Sequence, residues 1–88
     1  MKKGFVYILK DNNGRFYIGS TDDLRRRIYQ HKIGHTQTTR NMTNPSLVLT
    51  QEYESLEMAR KVERKLKNLK RKDYIEKMVS DSYIKIKV

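Results

Sequence analysis

The 88-residue sequence predicts one small α/β domain, and three patterns carry that prediction. Two runs rich in β-branched and aromatic residues flank a turn near the N-terminus, which is the signature of a hairpin. Farther on, Leu56, Ala59, Val62, Leu66 and Leu69 recur at spacings of three and four, which makes one apolar helical stripe. Between them lies a short apolar run, Leu47-Val48-Leu49 up to Tyr53, that reads as a third strand.

The elements follow in order. Phe5-Val6-Tyr7-Ile8-Leu9 is a continuous apolar run that suits a strand covered on both faces. Asp11-Asn12-Asn13-Gly14 supplies turn chemistry, and Arg15-Phe16-Tyr17-Ile18-Gly19 returns as the second strand. Side chains alternate across a strand, so Tyr7 and Tyr17 are expected near each other, beside a glycine that leaves open space above the sheet. Thr21-Asp22-Asp23 reads as a helix start, a capping hydroxyl followed by acids in the first turn, and the helix is expected to run to Ile33 with Gly34 as its stop. Residues 35–46 lack an apolar period and read as a polar loop. Ser55 caps the second long helix, a break near Asn68–Lys70 ends it, and Tyr74, Ile75, Met78 and Val79 mark a third. The domain is expected over 1–79. Residues 80–88, where Ile84, Ile86 and Val88 alternate with lysines, are expected as an added strand or a loose tail.

Composition sets the limits. Leu, Ile, Val and Phe make up 21 of the 88 residues, just above the roughly 20% below which a charged chain stays disordered, so the core is expected to be thin. There is no cysteine, which removes disulfides and thiolate zinc sites. The apolar run after Lys2 and Lys3 is too short for a signal peptide or a membrane span, so a cytoplasmic, soluble protein with no membrane partner is expected. Twenty Lys and Arg against ten Asp and Glu give a net charge of +10, which attracts polyanions, nucleic acid above all. Residues 60–77 alone hold nine basic and three acidic residues. Lys67, Lys70, Arg71 and Lys72 within that stretch are candidates for contact with phosphates, and the alternative is a solvated helical face.

On the first helix, Arg27 and His31 fall on the flank of the stripe made by Leu24 and Ile28, and as an i,i+4 pair they are surface neighbours. They suit the edge of a cleft, although an ordinary amphipathic edge looks the same. Arg25 and Arg26 point to solvent, where they would serve affinity. On the second helix Glu63 lies about 60° from Leu66, with Arg60 and Lys67 at helical neighbour spacing. It reads either as a surface ion-paired glutamate or as a hard carboxylate that holds a divalent cation. His31 and His35 have no third ligand at zinc spacing, so zinc is discounted.

The order of these features is more specific than any one of them. Val6-Tyr7-Ile8, then Tyr17-Ile18-Gly19 ten residues on, then Leu24-x-x-Arg27, His31 and a later Glu63 resembles the GIY-YIG nuclease family, over about Lys3 to Lys77. Tyr17-Ile18-Gly19-Ser20-Thr21-Asp22-Asp23-Leu24 and Glu63-x-x-x-Lys67 are similar to its small stand-alone members. Phe5-Val6-Tyr7 replaces the Gly-Ile-Tyr half of the motif but keeps its tyrosine.

The resemblance implies a small sandwich, a three-stranded antiparallel sheet flanked by helices. It implies endonucleolytic hydrolysis of DNA, in repair, recombination or defence, with one divalent ion, Mg²⁺ or Mn²⁺, ligated by Glu63. It further implies that Arg27 binds the phosphate, that Tyr7 or Tyr17 takes a proton from the attacking water, and that His31 accepts or relays that proton. Free tyrosine titrates near pH 10, so such a role needs a neighbouring cation. The loop at Thr38, Thr39 and Arg40 is expected to face the same cleft. RNA stays open as a substrate, and a protein partner is the expected source of sequence specificity. The competing readings are a basic module that binds nucleic acid without cutting it, and an adaptor for an acidic protein.

Overall fold

The computed structural model describes residues 3–32 and 45–86, with the helix backbone alone at 31 and 32. Six elements occur among them: β1 (Gly4–Lys10), β2 (Phe16–Thr21), α1 (Leu24–Lys32), β3 (Ser46–Tyr53), α2 (Leu56–Leu69) and α3 (Lys72–Asp81). The strands form one antiparallel sheet in the order β2-β1-β3, so the most apolar strand lies in the middle. The α/β sandwich expected from the sequence is therefore the fold observed. Among the described residues no helix is long and apolar enough to cross a membrane.

The hairpin turn is built around a carboxylate. Asp11 Oδ1 accepts from the backbone of Asn13 and Arg15 at 3.0 and 2.7 Å, and Oδ2 pairs with Arg15 Nε at 3.1 Å. Gly14 completes the turn at φ +79°, a conformation that costs other residues energy. The register sets Tyr7 opposite Gly19, Leu9 opposite Tyr17, and Val6 opposite Ser20. Val6, Ile8 and Leu49 thus face one way, onto Ala59, Val62 and Leu66 of α2, and with Ile75, Met78 and Ile84 they make the core. A register shift after Ile8 in the β1–β3 ladder accommodates Val48, which packs against that core beside Leu49.

Helix boundaries follow local chemistry, with one correction. The cap of α1 is Asp23, not Thr21: Asp23 Oδ1 accepts from Arg26 N at 3.0 Å, while Thr21 ends β2 and its hydroxyl accepts from Asp23 N. The acids therefore precede the first turn instead of occupying it. Ser55 caps α2 as expected, accepting from Met58 N at 3.2 Å. Lys70 breaks the chain in the left-handed region at φ 51°, and α3 begins two residues later. Tyr74 is half-exposed, so the apolar face of α3 is Ile75 and Met78, with Val79 packed at its margin. Gly34 and all of the polar stretch except Pro45 and Ser46 lie outside the described residues, and so do His35, Thr38, Thr39 and Arg40.

After α3, residues 83–86 carry no strand pairing, yet Ile84 is 1% exposed. Gln51 of β3 holds it there. Its Oε1 accepts from Ile84 N at 2.8 Å, and its Nε2 donates to Ile84 O at 3.3 Å and to Tyr53 Oη at 2.9 Å. Losing that side chain orphans a buried backbone pair. Gln51→Leu should therefore lower the unfolding free energy by about 1–3 kcal/mol in urea titrations. An unchanged midpoint would show that Ile84 is held by its apolar contacts alone.

Candidate active site

The largest concentration of chemistry lies along β2, the edge strand. A cleft of about 480 Å³ takes Tyr7, Tyr17 and Gly19 from one face of the sheet, and Ser20 from the other. Arg27 of α1 and Arg60, Glu63, Arg64 and Lys67 of α2 complete it. Adjacent residues of a strand point to opposite faces, so a cleft lined by both Gly19 and Ser20 wraps the edge of β2.

Tyr7 belongs to the central strand and is 1% exposed, yet it reaches this edge. The reason is Gly19. A Cβ there would collide with Tyr7 Oη and Cζ and stand 3.0 Å from Cε1. The space above the glycine is thus not open, as the sequence suggested, but filled by the Tyr7 ring. Tyr7 and Tyr17 meet at 6.2 Å between ring centroids with planes at 38°. Burial raises Tyr7 well above the ordinary tyrosine range; Tyr17, through charge and a hydrogen bond, and Glu63 add to the rise, and Arg27 opposes it.

Glu63 sits across the cleft with its side chain 20% exposed. Ser20 Oγ donates to its Oε1, and the Lys67 ammonium lies 2.6 Å from Oε2. Arg27 is half-buried, and its Nε is buried without a hydrogen-bond partner among the described residues. A buried donor left unsatisfied is costly, and here it belongs to a cleft whose other cations favour an anion. Among the described residues no group of three His, Asp or Glu converges as a metal cage. A single carboxylate still suits Mg²⁺, which is commonly held by one or two carboxylates together with water and substrate phosphates. Among the described residues of the cleft, Glu63 is the carboxylate that could hold such an ion.

Of the residues singled out from sequence, Tyr7, Tyr17, Arg27, Glu63 and Lys67 come together here. His31 lies on α1 four residues after Arg27, its side chain outside the described set. Arg25 and Arg26 are exposed and line a separate hollow with Lys3 and Phe5, where Arg26 stands 3.9 Å from Asp22. Lys70, Arg71 and Lys72 line a further recess that shares Lys67 with the cleft. Arg71 pairs with Asp73 at 2.8 Å and covers the Tyr74 ring. Sequence reasoning did not assign Ser20, Arg60 or Arg64 to the site. Arg60, Glu63, Arg64 and Lys67 share one helical face by spacing, a signal that was available for the arginines.

The chain is similar to known proteins in sequence and fold. The family model described as the GIY-YIG catalytic domain matches residues 3–78. A UPF0213 protein of Streptococcus pneumoniae serotype 4 is 37% identical over 70 residues, 78% of this chain and 71% of that one. A UPF0213 protein of Halobacterium salinarum is 33% identical over 67 residues, 75% of this chain and 87% of the relative. The solution NMR structure of a UPF0213 protein from Bacillus halodurans superposes with a TM-score of 0.56 at 37% identity, covering 89% of this chain and 83% of that one.

The raised Tyr7 fixes the sign of an alkaline effect. A folded-state value above the ordinary 10 means that Tyr7 contributes stability in full below pH 10, and that the contribution is lost as pH rises beyond it. Burial pushes Tyr53 up as well, so in a spectrophotometric titration of the six tyrosines more than one should ionise later than free tyrosine. Tyr7→Phe should remove one tyrosine from that late step and lessen the alkaline loss of stability. A Tyr7→Phe protein with the parental alkaline profile would assign the late step elsewhere.

Proposed function

The chain belongs to the GIY-YIG family, and on that footing we propose that it is an endonuclease hydrolysing DNA phosphodiester bonds with a divalent cation, Mg²⁺ or Mn²⁺. The family is one of nucleases that generally use divalent metals and act on DNA. The observation that carries the reading for this chain is the convergence of Glu63, Arg27 and the Tyr7–Tyr17 pair on one cleft.

The cations of the cleft draw the phosphodiester backbone in. Arg27 takes a non-bridging phosphate oxygen with its guanidinium, which satisfies the buried Nε and offsets the charge that develops in the transition state. Lys67 leaves Glu63 for a phosphate, and Ser20 keeps the carboxylate in place, ready for the cation. Glu63 would hold the cation, which when bound would supply polarisation of the scissile phosphate and stabilisation of the leaving 3′-oxygen. Burial favours the neutral form of Tyr7, which suits a hydrogen-bonding partner, and Tyr7 or Tyr17, the latter half-exposed in the cleft, handles the proton of the attacking water. His31 follows Arg27 by one helical turn and is the residue to accept or relay that proton. We place the activity in repair, recombination or defence, with a protein partner as the source of sequence specificity.

A second reading has one observation in its favour. Both oxygens of Glu63 are engaged within the protein, as suits a basic binding module that does not cut. Binding in Mg²⁺ or Mn²⁺ without cleavage, and unchanged by Glu63→Ala, would select it.

Two expected outcomes test the nuclease reading. Glu63→Gln should keep the fold by circular dichroism and abolish nicking of supercoiled DNA in Mg²⁺ or Mn²⁺, with an EDTA control. Wild-type nicking by that variant would remove Glu63 from the reaction. Arg27→Ala should lower the single-turnover rate by about 10²–10³-fold, the scale of a lost transition-state charge contact. Arg25→Ala and Arg26→Ala should weaken binding and flatten its salt dependence while sparing that rate. Equal rate losses in all three would refute the separation between cleft and hollow.

A further inference from the structure

We propose that the recess beside the cleft is a subsite for an unpaired nucleotide of the nucleic-acid strand that passes the active site. The proposal rests on the endonuclease reading and names the kind of substrate it prefers. The recess encloses about 410 Å³, within the range of roughly 300–1,000 Å³ usual for ligand sites. Its floor is apolar and comes from two layers: Phe16 and Ile18 of β2, and Leu66 and Ile75 of the helices. Cations surround that floor. Lys67 belongs to both hollows, so the recess continues the cleft.

The rest of the rim points the same way. Lys70 and Lys72 line it, and among the described residues neither is in an ion pair. The Lys72 ammonium lies over the hairpin turn, where a Cβ on Gly14 would stand 3.2 Å from it. Lys10 places its ammonium 5.5 Å from the centroid of the Phe16 ring. Among the described residues no acidic side chain lines the recess.

An apolar floor under a cationic rim complements a base joined to its phosphates. Intact duplex offers only phosphates and groove edges to such a surface, because its base faces are stacked on one another. An unpaired nucleotide offers a flat face to Phe16 while its phosphates meet Lys70 and Lys72, the combination by which proteins hold single strands. A wholly acidic partner would satisfy the rim and leave the floor uncovered.

The test measures binding in EDTA, so that cleavage does not interfere. Fluorescence anisotropy compares a blunt DNA duplex with a duplex of equal phosphate count that ends in a single-stranded tail. The parent should favour the tailed DNA by about tenfold, the scale of one base–aromatic stack. Phe16→Leu keeps apolar bulk and removes the flat ring, and it should erase most of that preference while leaving blunt-duplex affinity and salt slope unchanged. The double variant Lys70→Ala, Lys72→Ala should weaken both DNAs and lower the salt slope by roughly one to two units, at about 0.9 per phosphate. Equal affinity of the parent for the two DNAs, or a Phe16→Leu loss shared equally between them, overturns the subsite. Displacement of the tailed DNA by a polyglutamate peptide as readily as by single-stranded DNA also overturns it. Nicking of supercoiled DNA is scored separately. Loss of the binding preference with nicking intact defeats the subsite alone, and preference without any nicking defeats the endonuclease reading.

Discussion

The site depends on one contact: the ring of Tyr7 laid over Gly19. The central strand of a three-stranded sheet is the best place to fix a side chain and the worst place from which to reach solvent. Tyr7 reaches the sheet margin because its cross-strand neighbour has no side chain to obstruct it. The core strand thereby lends its rigidity to a group at the rim. Any residue larger than glycine at that position would displace the hydroxyl, and with it the packing against Tyr17.

The other half of the site comes from the opposite layer. The α2 stripe of Ala59, Val62 and Leu66 docks on the sheet, and this fixes the rotation of the helix. Once that rotation is set, Glu63 and Lys67 have no choice of direction: they arrive at the edge of β2 beside Ser20. Hydrophobic burial therefore aligns the polar groups, while the ion pair itself, half in solvent, adds little to stability. Arg27 is the expensive member, since its Nε is removed from water without replacement.

Much of this was legible in the sequence because it is local. The alternation through Tyr7 and Tyr17, the serine cap at Ser55 and the three-four spacing of α2 each need only a few residues of context. The role of Asp23 was within reach too, but Thr21 offered an equally good cap, and strand pairing to Phe5 claimed Thr21 for β2. What stayed hidden depends on chain segments that meet only after folding. Ser20 and Glu63 are 43 residues apart, and Gln51 and Ile84 are 33 apart. The Phe16 floor is of the same kind, because its other wall belongs to helices that follow some fifty residues later. Spacing rules also placed Arg27 beside the apolar face, but only packing shows that its donor is stranded there.

A cleft wrapped around an edge strand has a consequence for how readily that edge pairs with another chain. β2 is hydrogen-bonded on one side only, and an unpaired strand edge is a template on which a second chain could assemble. Here that margin is crowded by Arg27, Arg60, Arg64 and Lys67, whose charges repel another copy of the same basic surface. The cations that line the cleft thus also stand as gatekeepers against β-aggregation. Neutralising them would be felt twice, once as weaker capture of substrate and again as a protein that is harder to keep in solution.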